Sequence, residues 1–128
     1  MEIFASNSFA MMQRSLEFLW SKQSCILDNI ANVETPGYKT KYVTFEESLR
    51  SAILSSLDVE SGRVSGVREA IEETPIVRHE AQESTRMDDN GVNITEQSVE
   101  LARNAYQMQY VMQSINNDIS TLRTVIRR

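Results

Sequence analysis

The feature that most constrains this chain is a spacing. Phe9, Met12, Leu16, Leu19, Gln23, Ile26, Ile30 and Val33 follow one another at alternating steps of three and four, and Leu101, Ala105, Met108, Met112, Ile115, Ile119, Leu122 and Ile126 alternate four and three. Such steps keep every member on one stripe of an α-helix, and a stripe sustained over more than three heptads belongs to a helix that packs lengthwise on another. The spacing predicts two long helices, from about Ser8 to Ala31 and from about Thr95 to Arg127. The second would be roughly 50 Å long at 1.5 Å per residue. Ser6, Asn7 or Ser8 can cap the first helix. Asn93 with Glu96 three residues on forms a capping box for the second, and Arg123, Arg127 and Arg128 complement its C-terminal dipole.

The expected fold is therefore mainly α: two long terminal helices paired as an antiparallel, coiled-coil-like hairpin, with a short third helix and an irregular or partly extended connector. The pairing seam runs along Phe9, Met12, Leu16, Leu19, Ile26 and Ile30 on one helix and the eight residues from Leu101 to Ile126 on the other. Both helices also carry apolar residues off this seam, namely Met11, Phe18, Trp20 and Leu27 on the first and Val99, Ala102, Tyr106, Val111 and Val125 on the last. One partner helix cannot cover two stripes, and a hairpin this small buries little surface alone. Phe18, Trp20, Leu27, Tyr106 and Tyr110 are accordingly expected to face neighbouring molecules in an assembly.

Charge divides the chain the same way. Residues 1–43 hold four acids and four bases, residues 44–95 eleven and five, and residues 96–128 three and four, so the net −5 arises in the middle. This gives an N-terminal helical segment with its exit (1–43), an acidic connector (44–92) and a C-terminal helix (93–128), together one domain. In the connector, Thr44 and Glu47 read as a capping box opening a helix over Phe45–Leu57 along Phe45, Leu49, Ile53 and Leu57. Ser61-Gly62 and Ser65-Gly66 read as breaks. Arg68–Glu73 reads as a possible helical turn, Pro75-Ile76-Val77 as a possible edge strand, and Asn90-Gly91 as a turn before the last helix.

Composition removes most chemistry. Four Gly and two Pro are too few for an all-β chain, and one Cys and one His leave no internal disulfide and little scope for zinc or histidine catalysis. Cys25 reads as a packed thiol, and His79 as an exposed side chain beside Glu80. Glu46-Glu47, Glu72-Glu73 and Asp88-Asp89 lie in polar surroundings, without the apolar wall that makes a general acid, and Asp88-Asp89-Asn90-Gly91 lacks the ligand spacing of a calcium loop. No glycine-rich phosphate loop, basic stripe, apolar run of membrane length or cleavable leader is evident. No cofactor, metal, nucleic acid, small-molecule substrate or membrane insertion is expected. A cytoplasmic helical adaptor or chaperone would share this outline, and a small carboxylate-dependent hydrolase is the enzymatic rival.

One run is more specific. Asn29-Ile30-Ala31-Asn32-Val33-Glu34-Thr35-Pro36-Gly37-Tyr38-Lys39 begins on the last turn of the first helix. Physically it is a helix exit: Asn32 suits a left-handed residue after the helix, Asn29 suits freed carbonyls, and Pro36-Gly37 suits a type II turn with Tyr38 folding back as a lid. The run resembles the signature of the bacterial flagellar rod and hook family at Asn29, Ile30, Ala31, Asn32, Thr35, Pro36, Gly37, Tyr38 and Lys39. Leu101-Ala102-Arg103-Asn104 likewise resembles that family's C-terminal helix start. The short connector leaves no room for a large inserted domain, which points to the family's short rod members, those of the proximal rod first.

The resemblance implies a structural, non-enzymatic subunit made in the cytoplasm and exported by the flagellar type III apparatus without a cleaved signal peptide. It would assemble helically in the periplasmic rod of the basal body to transmit torque. Its implied partners are copies of itself, other rod proteins, and the rod-to-ring adaptor and export gate at the rod base.

Overall fold

A computed structural model of the chain describes residues 7–57, 63–82 and 91–127. Among them are four helices and two strands: α1 (Asn7–Ala31), β1 (Lys41–Thr44), α2 (Glu46–Leu57), α3 (Arg63–Glu73), β2 (Val77–Glu80) and α4 (Ile94–Ile126). The two terminal helices pack against each other. Their contacts run in opposite chain directions: Asn29 meets Gln97, the Lys22 ammonium lies 3.4 Å from the Glu100 carboxylate, and Asn104 donates to the Leu19 carbonyl at 2.9 Å. The pair is antiparallel, as the two stripes predict.

On α4 the register of the seam differs from the apolar count. Gln97, Leu101, Asn104, Met108, Val111, Ile115, Asp118 and Leu122 are the covered positions, again four and three apart, with Glu100 and Ser114 beside them. Leu101, Met108, Ile115 and Leu122 belong to the expected stripe. Ala105, Met112, Ile119 and Ile126 do not: they are exposed, Met112 by 49% and Ile126 by 70%. Asn104, fully enclosed, takes the place that counting gave to Ala105. An amide can occupy a seam when a backbone carbonyl meets it, and a count of apolar residues passes over such a position. On α1, Phe9, Leu19 and Ile26 are buried and Met12, Leu16 and Ile30 half-buried.

The core lies where α1 also meets the connector. Ala10, Phe18 and Leu19 pack with Phe45, Leu49 and Ile71, and the Phe18 and Phe45 rings stack with centroids 5.4 Å apart. Phe18, expected to face neighbouring molecules, is thus a core residue at 6% exposure. Arg14 binds the same region. Its guanidinium donates to the Ile71 and Thr74 carbonyls at the C-terminal end of α3 and lies over the Phe45 ring, so a cation satisfies carbonyls the helix leaves open.

The connector is more regular than its composition suggests. Helix α3 runs through Ser65-Gly66 instead of breaking there, because Val67 and Ile71, one turn apart, reach the core. Strand β2 begins at Val77, beyond Pro75, and pairs antiparallel with β1, Lys41 opposite Glu80 and Thr44 opposite Val77. The expectation set out no strand at 41–44. Thr44 therefore ends a strand and does not cap α2: its hydroxyl meets His79 Nε2 at 2.7 Å, and Phe45 supplies the carbonyl of the first turn. His79 is half-buried, stacked on Tyr42 at 5.2 Å, and not the solvated side chain expected. Asn93 caps α4, accepting from the Thr95 and Glu96 amides. The breaks expected at Ser61-Gly62 and the acidic pair Asp88-Asp89 lie outside the described residues.

Candidate assembly surface and helix-exit clamp

The exit of α1 is built by its own motif. Thr35 accepts from the Tyr38 amide at 3.3 Å across Pro36 and Gly37, and Gly37 has φ of +74°, the arrangement of a type II turn. The Asn32 amide group donates to the Asp28 carbonyl at 2.7 Å, and Asn32 Oδ1 accepts the Thr35 hydroxyl at 3.1 Å. Asn32, not Asn29, thus binds a freed helix carbonyl.

Asn29 has a longer reach. Buried to 1% exposure, it donates through Nδ2 to the Lys41 carbonyl at 2.8 Å and to Gln97 Oε1 at 3.0 Å, while Oδ1 accepts the Lys41 amide at 2.8 Å and lies 3.5 Å from the Tyr38 hydroxyl. One side chain therefore joins α1, β1 and α4. The loop before α4 closes the ring, since the Gly91 amide donates to the Tyr38 carbonyl and the Thr40 hydroxyl to the Gly91 carbonyl. Sequence gave no sign of this clamp, because its partners Lys41 and Gln97 are distant in the chain and one of them is backbone.

Within the motif, Ile30 and Tyr38 are half-buried, and Ala31, Thr35, Pro36, Gly37 and Lys39 are exposed. The Lys41 ammonium stands 5.6 Å from the centre of the Tyr38 ring. Burial raises the Tyr38 hydroxyl above its ordinary pKa, with the Asp28 carboxylate adding to the effect. It raises the nearby Cys25 thiol in the same way, partly opposed by Arg78. A thiol held neutral in a packed site is a poor nucleophile.

Trp20 and Leu27, one heptad apart on α1, are 53% and 49% exposed, and Tyr106 and Tyr110 on α4 are 75% and 74% exposed. With Phe18 withdrawn into the core, these four form the outward set. Two further features went unrecognised in the sequence. An open apolar groove of about 720 Å³ lies between α1, α2 and α4, with Met11, Phe45, Leu49, Leu54 and Tyr110 among its walls. The second is the outward face of the last turns of α4, where Val125 and Ile126 are 63% and 70% exposed. Among the described residues no helix is long and apolar enough to cross a membrane, and no three His, Cys, Asp or Glu side chains cluster as metal ligands.

No protein-family model matches the chain. Individual relatives do. The flagellar basal body rod protein FlgB of Bacillus subtilis is 26% identical over 129 aligned residues that span 94% of both chains. FlgB of Borrelia hermsii is 50% identical over 48 residues, 38% of this chain and 36% of that one, and FlgB of Borreliella burgdorferi is 45% identical over 42 residues, 33% and 31%.

Proposed function

We propose that this chain, which belongs to the flagellar basal body rod protein family, is a structural subunit of the proximal rod. The observation that carries the reading is the similarity to the Bacillus subtilis rod protein across 94% of both chains.

The physical arrangement supports it. A rod subunit needs a stiff hairpin with faces left over for neighbours. Stiffness comes from the buried α1–α4 seam and from the Asn29 clamp, which fixes the angle at which the connector leaves α1. The leftover faces are Trp20 and Leu27 on α1 and Tyr106, Tyr110 and the Ala105–Ile126 stripe on α4. Covering them in an assembly would bury apolar surface at about 25 cal/mol per Å². A contact of the α1 face of one copy with the α4 face of the next, not returned by the same pair, is heterologous, and such contacts propagate a helix when the rotation does not close.

The subunit would be exported by the flagellar type III apparatus with its N-terminus uncleaved, would act without catalysis, and would contact other rod proteins and, at the rod base, the adaptor to the ring and the export gate. Electron cryomicroscopy of basal bodies purified from the native bacterium tests the reading. Density for this chain in the rod, and loss of the rod on deletion of its gene, are expected. A chain that fractionates with the cytoplasm while basal bodies keep a complete rod would overturn it.

A further inference from the structure

We infer that Asn104 sets the rotation of α4 about its own axis, and so decides which of two stripes the subunit keeps for its neighbours. Only the last step, the use of the outward stripe, rests on the rod-subunit reading. Helix α4 carries two overlapping stripes that can lie on α1. They share Leu101, Met108, Ile115 and Leu122. The inward one adds Gln97, Asn104, Val111 and Asp118, and the outward one Ala105, Met112, Ile119 and Ile126. Successive helical residues are about 100° apart, so a roll of roughly 50° exchanges the two without unwinding a turn. Burial of apolar surface favours the stripe left outside, because all four of its own members are apolar and three of the four that take its place are polar. Something other than burial holds the helix where it is.

Asn104 supplies it. From a fully enclosed position its Nδ2 donates to the Leu19 carbonyl at 2.9 Å, and a roll would carry the amide off that carbonyl toward solvent. Two further polar contacts lie on the same flank, Glu100 with Lys22 at 3.4 Å and Gln97 with Asn29 at 3.0 Å. They agree with this rotation, but the first is partly solvated and the second belongs to the helix-exit clamp, so Asn104 is the lock within the seam itself. A residue selected for stability would differ. Asn104 Oδ1 is enclosed as well and meets no donor among the described residues, and an enclosed oxygen without a partner is destabilising. A single amide in an otherwise apolar seam gives up stability to specify one arrangement, here the one that leaves Ala105 exposed and Met112 exposed by 49%.

Thiol labelling of the dilute, free chain tests the rotation. In a Cys25→Ala background, Val111→Cys and, separately, Met112→Cys report the two faces, because Val111 is half-buried against the core and Met112 is exposed. With Asn104 present, iodoacetamide should modify the thiol at position 112 about tenfold faster than the one at position 111. Asn104→Ala removes the donor and should invert that ratio with helical circular dichroism retained. Adding Ala105→Asn should return the ratio to its original side, since the stripe that would turn inward then carries an amide with no carbonyl to meet. In the bacterium, Asn104→Ala should lower the amount of the chain in purified rods. An unchanged ratio, loss of helix in the Asn104→Ala chain, or a ratio that Ala105→Asn fails to restore would overturn the inference and leave the rod-subunit reading intact. Rods that take up the rolled chain at the normal level would overturn the role given to the outward stripe. Absence of the unaltered chain from rods would overturn the rod-subunit reading and that role with it, whatever the labelling shows.

Discussion

At the residue scale the decisive side chain is Asn29. Replacing it with Ala would strand a buried Gln97 amide and both backbone polar groups of Lys41. A loss of about 2–3 kcal/mol is expected, since buried groups left unpaired cost more than a bond contributes. Urea denaturation checks it, with exposed Lys39→Ala as the near-neutral reference. Gly37 separates two causes. Nothing lies within 4 Å of the place a Cβ would take, so the penalty for Gly37→Val is purely that of a positive φ, about 1–2 kcal/mol. Gly37→Asn should recover part of that loss in the same measurement. Cys25 and Tyr38 make stability depend on pH. Burial holds both above their ordinary values of 9.0 and 10.0, so above pH 9 the unfolded chain binds fewer protons than the folded one. Their contribution is complete below that pH and is lost as the pH climbs through the folded values. The melting temperature should fall as the pH rises above 9, and Cys25→Ala should flatten the onset of that fall.

At the element scale, the two helices respond differently to charge. Leu19 is buried at 5% exposure in the core, whereas Ile119 is 36% exposed on the outward stripe of α4. Leu19→Asp should unfold or severely destabilise the free chain, by several kcal/mol, because a carboxylate there has no partner. Ile119→Asp should leave the monomer's melting temperature nearly unchanged and instead reduce incorporation into rods. Thermal melts of the two purified variants, set beside rod content of the corresponding strains, separate folding from assembly. Equal loss of stability in both would return Ile119 to the intramolecular seam. The connector helices belong at this scale too. Acidic composition argued for a loose 44–92 segment, yet Phe45, Leu49 and Ile71 are among the most buried residues in the molecule, and few apolar anchors suffice when each is fully covered.

At the scale of the whole molecule, protection of backbone amides should grade along the hairpin. Hydrogen exchange on dilute protein should be slowest near Leu19, Asn29 and Asn104, where α1, β1 and α4 are bonded together, and fastest beyond Asn116. On assembly, exchange in residues 117–126 should slow if copies cover them. Uniform protection along α4 in the monomer would mean that its last turns already have cover within one chain.

Sequence alone was sufficient for whatever depends on local repetition. Periods of three and four residues yielded both long helices to within a residue or two. Asn93 announced the cap of α4, and Pro36-Gly37 announced the turn, since each acts on neighbours a few positions away. Tertiary structure decided which side of α4 is covered. The alternatives differ by a single residue, and the choice fell to Asn104 and Gln97, polar groups whose value in a seam depends on a carbonyl or amide delivered by α1. It likewise decided that Phe18 turns inward, because Phe45 arrives from the connector to stack on it. Partners far apart in the chain leave no periodic trace, and only the folded backbone brings them within bonding distance.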